Sequence, residues 1–119
     1  MAVACLGGSM LPLDAVLVNL LLAPWLEELL FREGLQRLLT ERLPAGPLPA
    51  LLTALAFTAA HLALRPDLLS LATFAPACLL GLLYARRQDL TLCICTHSAM
   101  NLAWLALIAP ALAGSPSLH

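Results

Sequence analysis

Apolar residues fill this chain in four long runs, at about residues 11–39, 47–64, 68–85 and 90–113. Each approaches the roughly 20 apolar residues that an α-helix needs to cross a bilayer. The pattern predicts an all-α, integral-membrane bundle of about four transmembrane helices, a single transmembrane domain over 1–119. Three polar breaks separate the runs. Leu43-Pro-Ala-Gly-Pro-Leu-Pro49 is a Pro/Gly turn that no helix passes through unbroken. Arg65-Pro66-Asp67 and Arg86-Arg87-Gln88-Asp89 are the other two, and Ala113–His119 reads as a frayed tail. Pro24, inside the first run, predicts a kink there or a new helical piece from Trp25. Asp14 and Asn19 make that run the least regular. The N-terminus has no positively charged region, and Gly7, Gly8 and Ser9 precede the apolar run rather than follow it. A cleaved signal peptide is therefore not expected.

Composition turns this pattern into a statement about solvent. Of 119 residues, 61% are hydrophobic and 11% charged, against about 25% charged in a soluble domain. There is too little polar surface to face water, so lipid is the expected surroundings. A net charge of −1 gives no electrostatic case for nucleic acid. All six basic residues are Arg. With the Leu and Ala richness, this suggests a GC-rich bacterial genome and a multi-pass protein of the bacterial inner membrane. Arg37 and Arg42 follow the first run and Arg86 and Arg87 the third, whereas only Arg65 follows the second. By the positive-inside rule the first and third turns face the cytoplasm and both termini lie outside. Cys5, Cys78, Cys93 and Cys95 do not form a secreted-type framework. The Cys93-x-Cys95 pair reads as buried thiols acting as small hydrophobes.

The candidate chemistry lies where lipid should forbid charge. A charged side chain at the centre of a membrane helix costs about 2.5–3.5 kcal/mol on insertion scales, yet Leu26-Glu-Glu-Leu-Leu-Phe-Arg-Glu33 carries four charges in eight residues. Glu28 and Arg32 stand at i,i+4 with the acid first, the favourable order for a helix pair. Glu27 lies one position round the helix, free of that partner. A structural reading competes: an amphipathic interfacial helix from Trp25 to Arg42, with Arg37, Glu41 and Arg42 on its polar side. Two further pairs shift the balance. Phe57 and His61 are i,i+4 in the second run, and His97 and Asn101 in the fourth. Each His alone also reads as a hydrogen-bonded interior residue. Ionisable residues within the membrane are nonetheless functional candidates by default, and here three helices each carry one face of them. At 1.5 Å per residue, Glu27 lies about 18 Å from Leu39, His61 about 21 Å from Pro47 and His97 about 10 Å from Leu90. All three fall between the inner quarter and the middle of the bilayer. Glu27, His61 and His97 also match a two-His, one-carboxylate zinc site with water in the fourth position, although there is no H-E-x-x-H.

Glu27-Glu28-x-x-x-Arg32, Phe57-x-x-x-His61 and His97-x-x-x-Asn101, in that order on successive apolar runs, resemble the CPBP family of CAAX proteases and bacteriocin-processing enzymes, also called the ABI family. The approach Ala23-Pro24-Trp25-Leu26, the run Leu29-Leu30-Phe31-Arg32 and Gly81-Leu-Leu-Tyr-Ala-Arg86 are similar too. The resemblance covers about residues 20–108. It implies an intramembrane endopeptidase, a glutamate-type hydrolase of a family once classed as metalloproteases. In that family Glu27 and His61 would activate a water, and His97 and Asn101 would stabilise the oxyanion. Glu28 completes the catalytic set, with Arg32 and Phe57 in support. No cofactor is expected, zinc being the alternative. The substrate would be a peptide or protein at the membrane; in a bacterium, a bacteriocin leader or a C-terminal sorting tail fits better than a prenylated CAAX protein. The family usually has extra spans around this core, whereas 26 residues precede Glu27 here, and Glu33 stands where a small residue is common. A minimal core, a truncated member or a chain that needs a membrane partner protein would each look like this. Two other function classes compete. One is a non-catalytic membrane binding protein, such as a bacteriocin self-immunity factor or scaffold, working through its loops. The other is an ion- or proton-translocating bundle, which four short helices with one charged cluster and no inverted repeat disfavour.

Overall fold

A computed structural model describes residues 13–108 and 110–111. The signal-peptide reading, Cys5 and the tail from Ala113 lie outside the described residues. Four helices follow one another: α1 over 13–42, α2 over Leu48–Leu64, α3 over Leu68–Arg87 and α4 over Leu90–Ile108. The described residues contain no strand.

Helix α1 runs on through Pro24, which falls in the first turn of an α-helical stretch, Ala23–Glu28, that follows a wider turn. A proline ring crowds the carbonyl four residues back and offers no N–H. The helix meets this by widening into a π-helical turn over Val18–Leu22, where the Ala23 N–H reaches back to Val18 O. A second wide stretch covers Leu29–Gln36. The helix then ends at Arg42, with Leu43 extended ahead of Pro44. Gly46 carries φ +147° in the turn, a conformation that favours glycine. Pro49 falls in the first turn of α2, where a missing N–H does no harm. Arg65, extended ahead of Pro66, closes α2. Asp67 caps α3 by accepting the Ser70 N–H at 2.9 Å. That helix passes through a turn at Ala72 and Thr73 before its long stretch Phe74–Arg87. Left-handed Gln88 (φ 52°) ends it, and Asp89 caps α4 by accepting the Leu92 N–H at 3.1 Å.

The packing is polar inside and apolar outside. Asn19, Glu28, Arg32, Gln36, Thr53, Thr58, His97 and Asn101 are among the buried polar side chains, which outnumber the buried hydrophobic ones. Leu13, Leu21, Leu30, Leu55, Leu79 and Leu107 point outward, each more than half exposed. Such a surface is a liability in water and the natural one in lipid. There, helices associate through close-packed small residues and interhelical hydrogen bonds. Ala50 and Ala54 of α2 and Ala77 and Gly81 of α3 are buried small residues of this kind. A Cβ on Gly81 would stand 3.1 Å from that of Ala50. By length and composition, α3 and α4 are able to cross a membrane, and α2 is a shorter apolar helix of 17 residues. Cys93 is buried, Cys78 half-buried and Cys95 exposed. The expectation of two buried thiols in the Cys-x-Cys pair is thus half wrong: two positions along an α-helix turn through about 200°, so one thiol faces in and the other out.

Candidate active site

Glu28, Arg32 and Gln36 recur every four residues, which places them on the inner face of α1. All three are buried, so the reading of this stretch as an interfacial helix fails for them. Arg37, Glu41 and Arg42 lie on the exposed side of the helix, with Arg37 3.7 Å from Glu33 and 3.6 Å from Glu41. Arg32 Nε lies 3.2 Å from Glu28 Oε2, and Arg32 Nη2 donates to Ala77 O at 3.1 Å. One turn further, Gln36 Nε2 donates to Gly81 O at 2.8 Å. These two bonds form a ladder that hangs α1 on the backbone of α3.

His97 of α4 sits between the two adjacent carboxylates. Its Nδ1 is 2.9 Å from Glu28 Oε1 and its Nε2 3.3 Å from Glu27 Oε2. A carboxylate only accepts hydrogen bonds, so in the Glu28 contact Nδ1 is the donor. The acids differ in surroundings. Glu28 is fully buried, whereas the Glu27 side chain is 25% exposed. Glu27 Oε2 and Glu28 Oε2 are both buried and lack an aligned hydrogen bond.

Phe57, buried on α2, walls this cluster. Its ring centroid is 6.0 Å from that of His97, 5.0 Å from Phe31 and 4.3 Å from His61, and Arg32 lies over it at 6.0 Å. His61 Nδ1 is 2.9 Å from Phe57 O. A carbonyl only accepts, so Nδ1 is the donor and the neutral ring keeps a lone pair on Nε2. His61 also lines a cavity of about 30 Å³ with Arg65, Asp67, Ser70, Thr73 and Trp104, large enough for a water. That cavity shares Leu69, Thr73 and Trp104 with an apolar cleft of about 420 Å³ between α3 and α4. One turn past His97, Asn101 Nδ2 donates to Asn19 O at 2.8 Å, and Asn101 Oδ1 is buried without a hydrogen bond.

The structure therefore brings Glu27, Glu28, Arg32 and His97 into one cluster, with Phe57 against it. His61 adjoins through the Phe57 ring; no hydrogen bond or ion pair joins it to Glu27 among the described residues. Glu27, His61 and His97 do not converge as a three-ligand set, and no group of three potential metal ligands does so among the described residues. Sequence reasoning missed Asn19 and Gln36 as members of the polar interior. The signal for Gln36 was its place four residues after Arg32, and for Asn19 its place five residues before Pro24.

A family model described as type II CAAX prenyl endopeptidase Rce1-like matches residues 9–103, the stretch that holds Glu27, Glu28, Arg32, Phe57, His61, His97 and Asn101. No curated protein and no solved structure matched the chain.

Proposed function

Since the chain belongs to the type II CAAX prenyl endopeptidase Rce1-like family, we propose that it is an intramembrane endopeptidase that hydrolyses a peptide or protein substrate by attack of an activated water. The observation that carries this reading is the inequality of the two neighbouring acids. Glu28 is fully buried and held by Arg32 and His97, whereas Glu27 is partly exposed and has no Arg partner of its own among the described residues.

In this reading Glu27 is the general base and His61 Nε2 a second acceptor that orients the water. The water oxygen attacks the scissile carbonyl carbon while its proton passes to Glu27. The oxyanion takes hydrogen bonds from His97 Nε2 and from the second N–H of Asn101 Nδ2. His97 is suited to the change of partner: once protonated, Glu27 is a weaker acceptor, and the Nε2–H turns to the oxyanion. Glu27 then delivers its proton to the leaving nitrogen as the C–N bond breaks, giving a new carboxyl and a new amine. Glu28 and Arg32 orient His97 and stay out of the proton transfer.

The reading needs no metal. Zinc held by Glu27, His61 and His97 is the alternative, but among the described residues these three do not form a common centre. Cleavage is expected to persist in the presence of a chelator. All four helices would traverse a bacterial inner membrane, α2 with its 17 residues spanning about 25 Å. The family's name describes prenylated C-termini; for a bacterial chain a leader peptide or a C-terminal sorting tail is the substrate we favour.

The test is cleavage of a membrane-anchored reporter peptide by the protein in proteoliposomes, beside Glu27→Ala. Cleavage by the parent and none by the folded variant is the expected result. Undiminished cleavage by the variant overturns the assignment of Glu27.

A further inference from the structure

The carbonyl of residue i accepts the N–H of residue i+4 in an α-helix and of i+5 in a π-turn. For Asn19 these donors are Ala23 and Pro24. The Ala23 N–H goes to Val18 O, and Pro24 has none. The Asn19 carbonyl instead accepts Asn101 Nδ2 at 2.8 Å, across 82 positions of sequence. Asn19, Pro24 and Asn101 are all buried. Asn101 Oδ1 makes no hydrogen bond, so one bond sets the orientation of the whole carboxamide.

We infer that Pro24 is a positioning residue of the active site: by withholding an N–H, it leaves the Asn19 carbonyl to hold the Asn101 carboxamide in place. The role rests on the reading of Asn101 as an oxyanion donor. Nδ2 carries two hydrogens. One goes to Asn19 O, and the other is thereby fixed in direction toward the substrate. A residue with an N–H at position 24 would donate to the same carbonyl, draw it toward the helix axis and weaken its bond to the carboxamide.

Two substitutions isolate the missing N–H. Pro24→Ala supplies one. Lactic acid introduced at position 24 has the same methyl side chain with an ester oxygen in place of the N–H. With the reporter peptide in proteoliposomes, Pro24→Ala is expected to lower kcat about tenfold to a hundredfold. KM should stay within about twofold, because the donor acts in the transition state. The lactic acid variant should regain kcat to within about threefold of the parent on the same ground. Equal losses in both variants would assign the effect to the proline ring or the helix shape, and overturn the inference; so would an undiminished kcat in Pro24→Ala.

A second readout needs no catalysis. Solid-state NMR measures the ¹⁵N–¹³C dipolar coupling between Asn101 Nδ2 and the Asn19 carbonyl carbon in bilayers. The parent should show a coupling of hydrogen-bond range, and its absence there overturns the inference even if Pro24→Ala does not fold. Pro24→Ala should weaken that coupling and lactic acid should keep it. If the coupling follows this pattern and the parent cleaves nothing, the positioning stands and the protease reading is what has failed.

Discussion

Around Glu28, the polar groups of α1 are tied to neighbouring helices. Arg32 reaches Ala77 O, Gln36 reaches Gly81 O, and Glu28 itself holds His97. Around Glu27 and His61 the interior is looser: Glu27 is a quarter exposed, and His61 lines a small cavity beside an apolar cleft. The two regions share the same chemistry of carboxylate and imidazole, and one residue of sequence separates their acids. What distinguishes them is burial and whether their side chains tie one helix to the next. A fully buried group bonded to a neighbouring helix fixes the packing, and a partly exposed carboxylate is open to a reactant.

This contrast makes graded predictions. Arg32→Ala should have the largest effect on folding, because it leaves Glu28 buried without its cation. A loss of about 3–5 kcal/mol is expected for one partner of a buried pair, read as SDS-induced unfolding in bicelles. A variant as stable as the parent would erase the contrast. Gly81→Ala should come next, at about 1–3 kcal/mol, the usual range for overpacking. Its Cβ would meet Ala50 Cβ at 3.1 Å and Gln36 Oε1 at 3.3 Å, and it sits on the carbonyl that Gln36 uses. Gln36→Ala removes that bond from the other side and should cost about 0.5–1.5 kcal/mol, the net worth of one hydrogen bond. If the Gly81→Ala loss comes from that rung, Gly81→Ala should be milder in a Gln36→Ala background. Arg37→Ala, which removes exposed pairs with Glu33 and Glu41, should change stability by less than about 1 kcal/mol. A larger loss there would show that the outer face of α1 is not the passive side.

Much of this was legible from the chain. The turns fell where Pro44, Gly46, Pro66 and the Arg86–Asp89 stretch placed them, because those breaks depend on local backbone chemistry. The motif residues were visible as charge in apolar runs, and the spacing of Glu28 and Arg32 correctly paired them. What was hidden depends on contacts between distant segments. Nothing local says that Gln36 finds a carbonyl on α3, or that His97 lies between the two acids. The sequence rule for Pro24, a kink or a new helical piece from Trp25, treats the missing N–H only as a loss. In the fold the helix widens around it, and the carbonyl left over is used by Asn101. Cys95 was misplaced because period, not composition, decides which of two nearby thiols faces lipid.

The most direct test sets Glu27→Gln against Glu28→Gln in one experiment, reading both thermal unfolding and reporter cleavage in proteoliposomes. Loss of the general base should lower cleavage by Glu27→Gln about 10²- to 10⁴-fold with the unfolding temperature close to that of the parent. Glu28→Gln should unfold at a clearly lower temperature and lose activity along with structure. Glu27→Gln that cleaves like the parent, or Glu28→Gln that is as stable as the parent, would contradict the division of the two acids into one that reacts and one that holds.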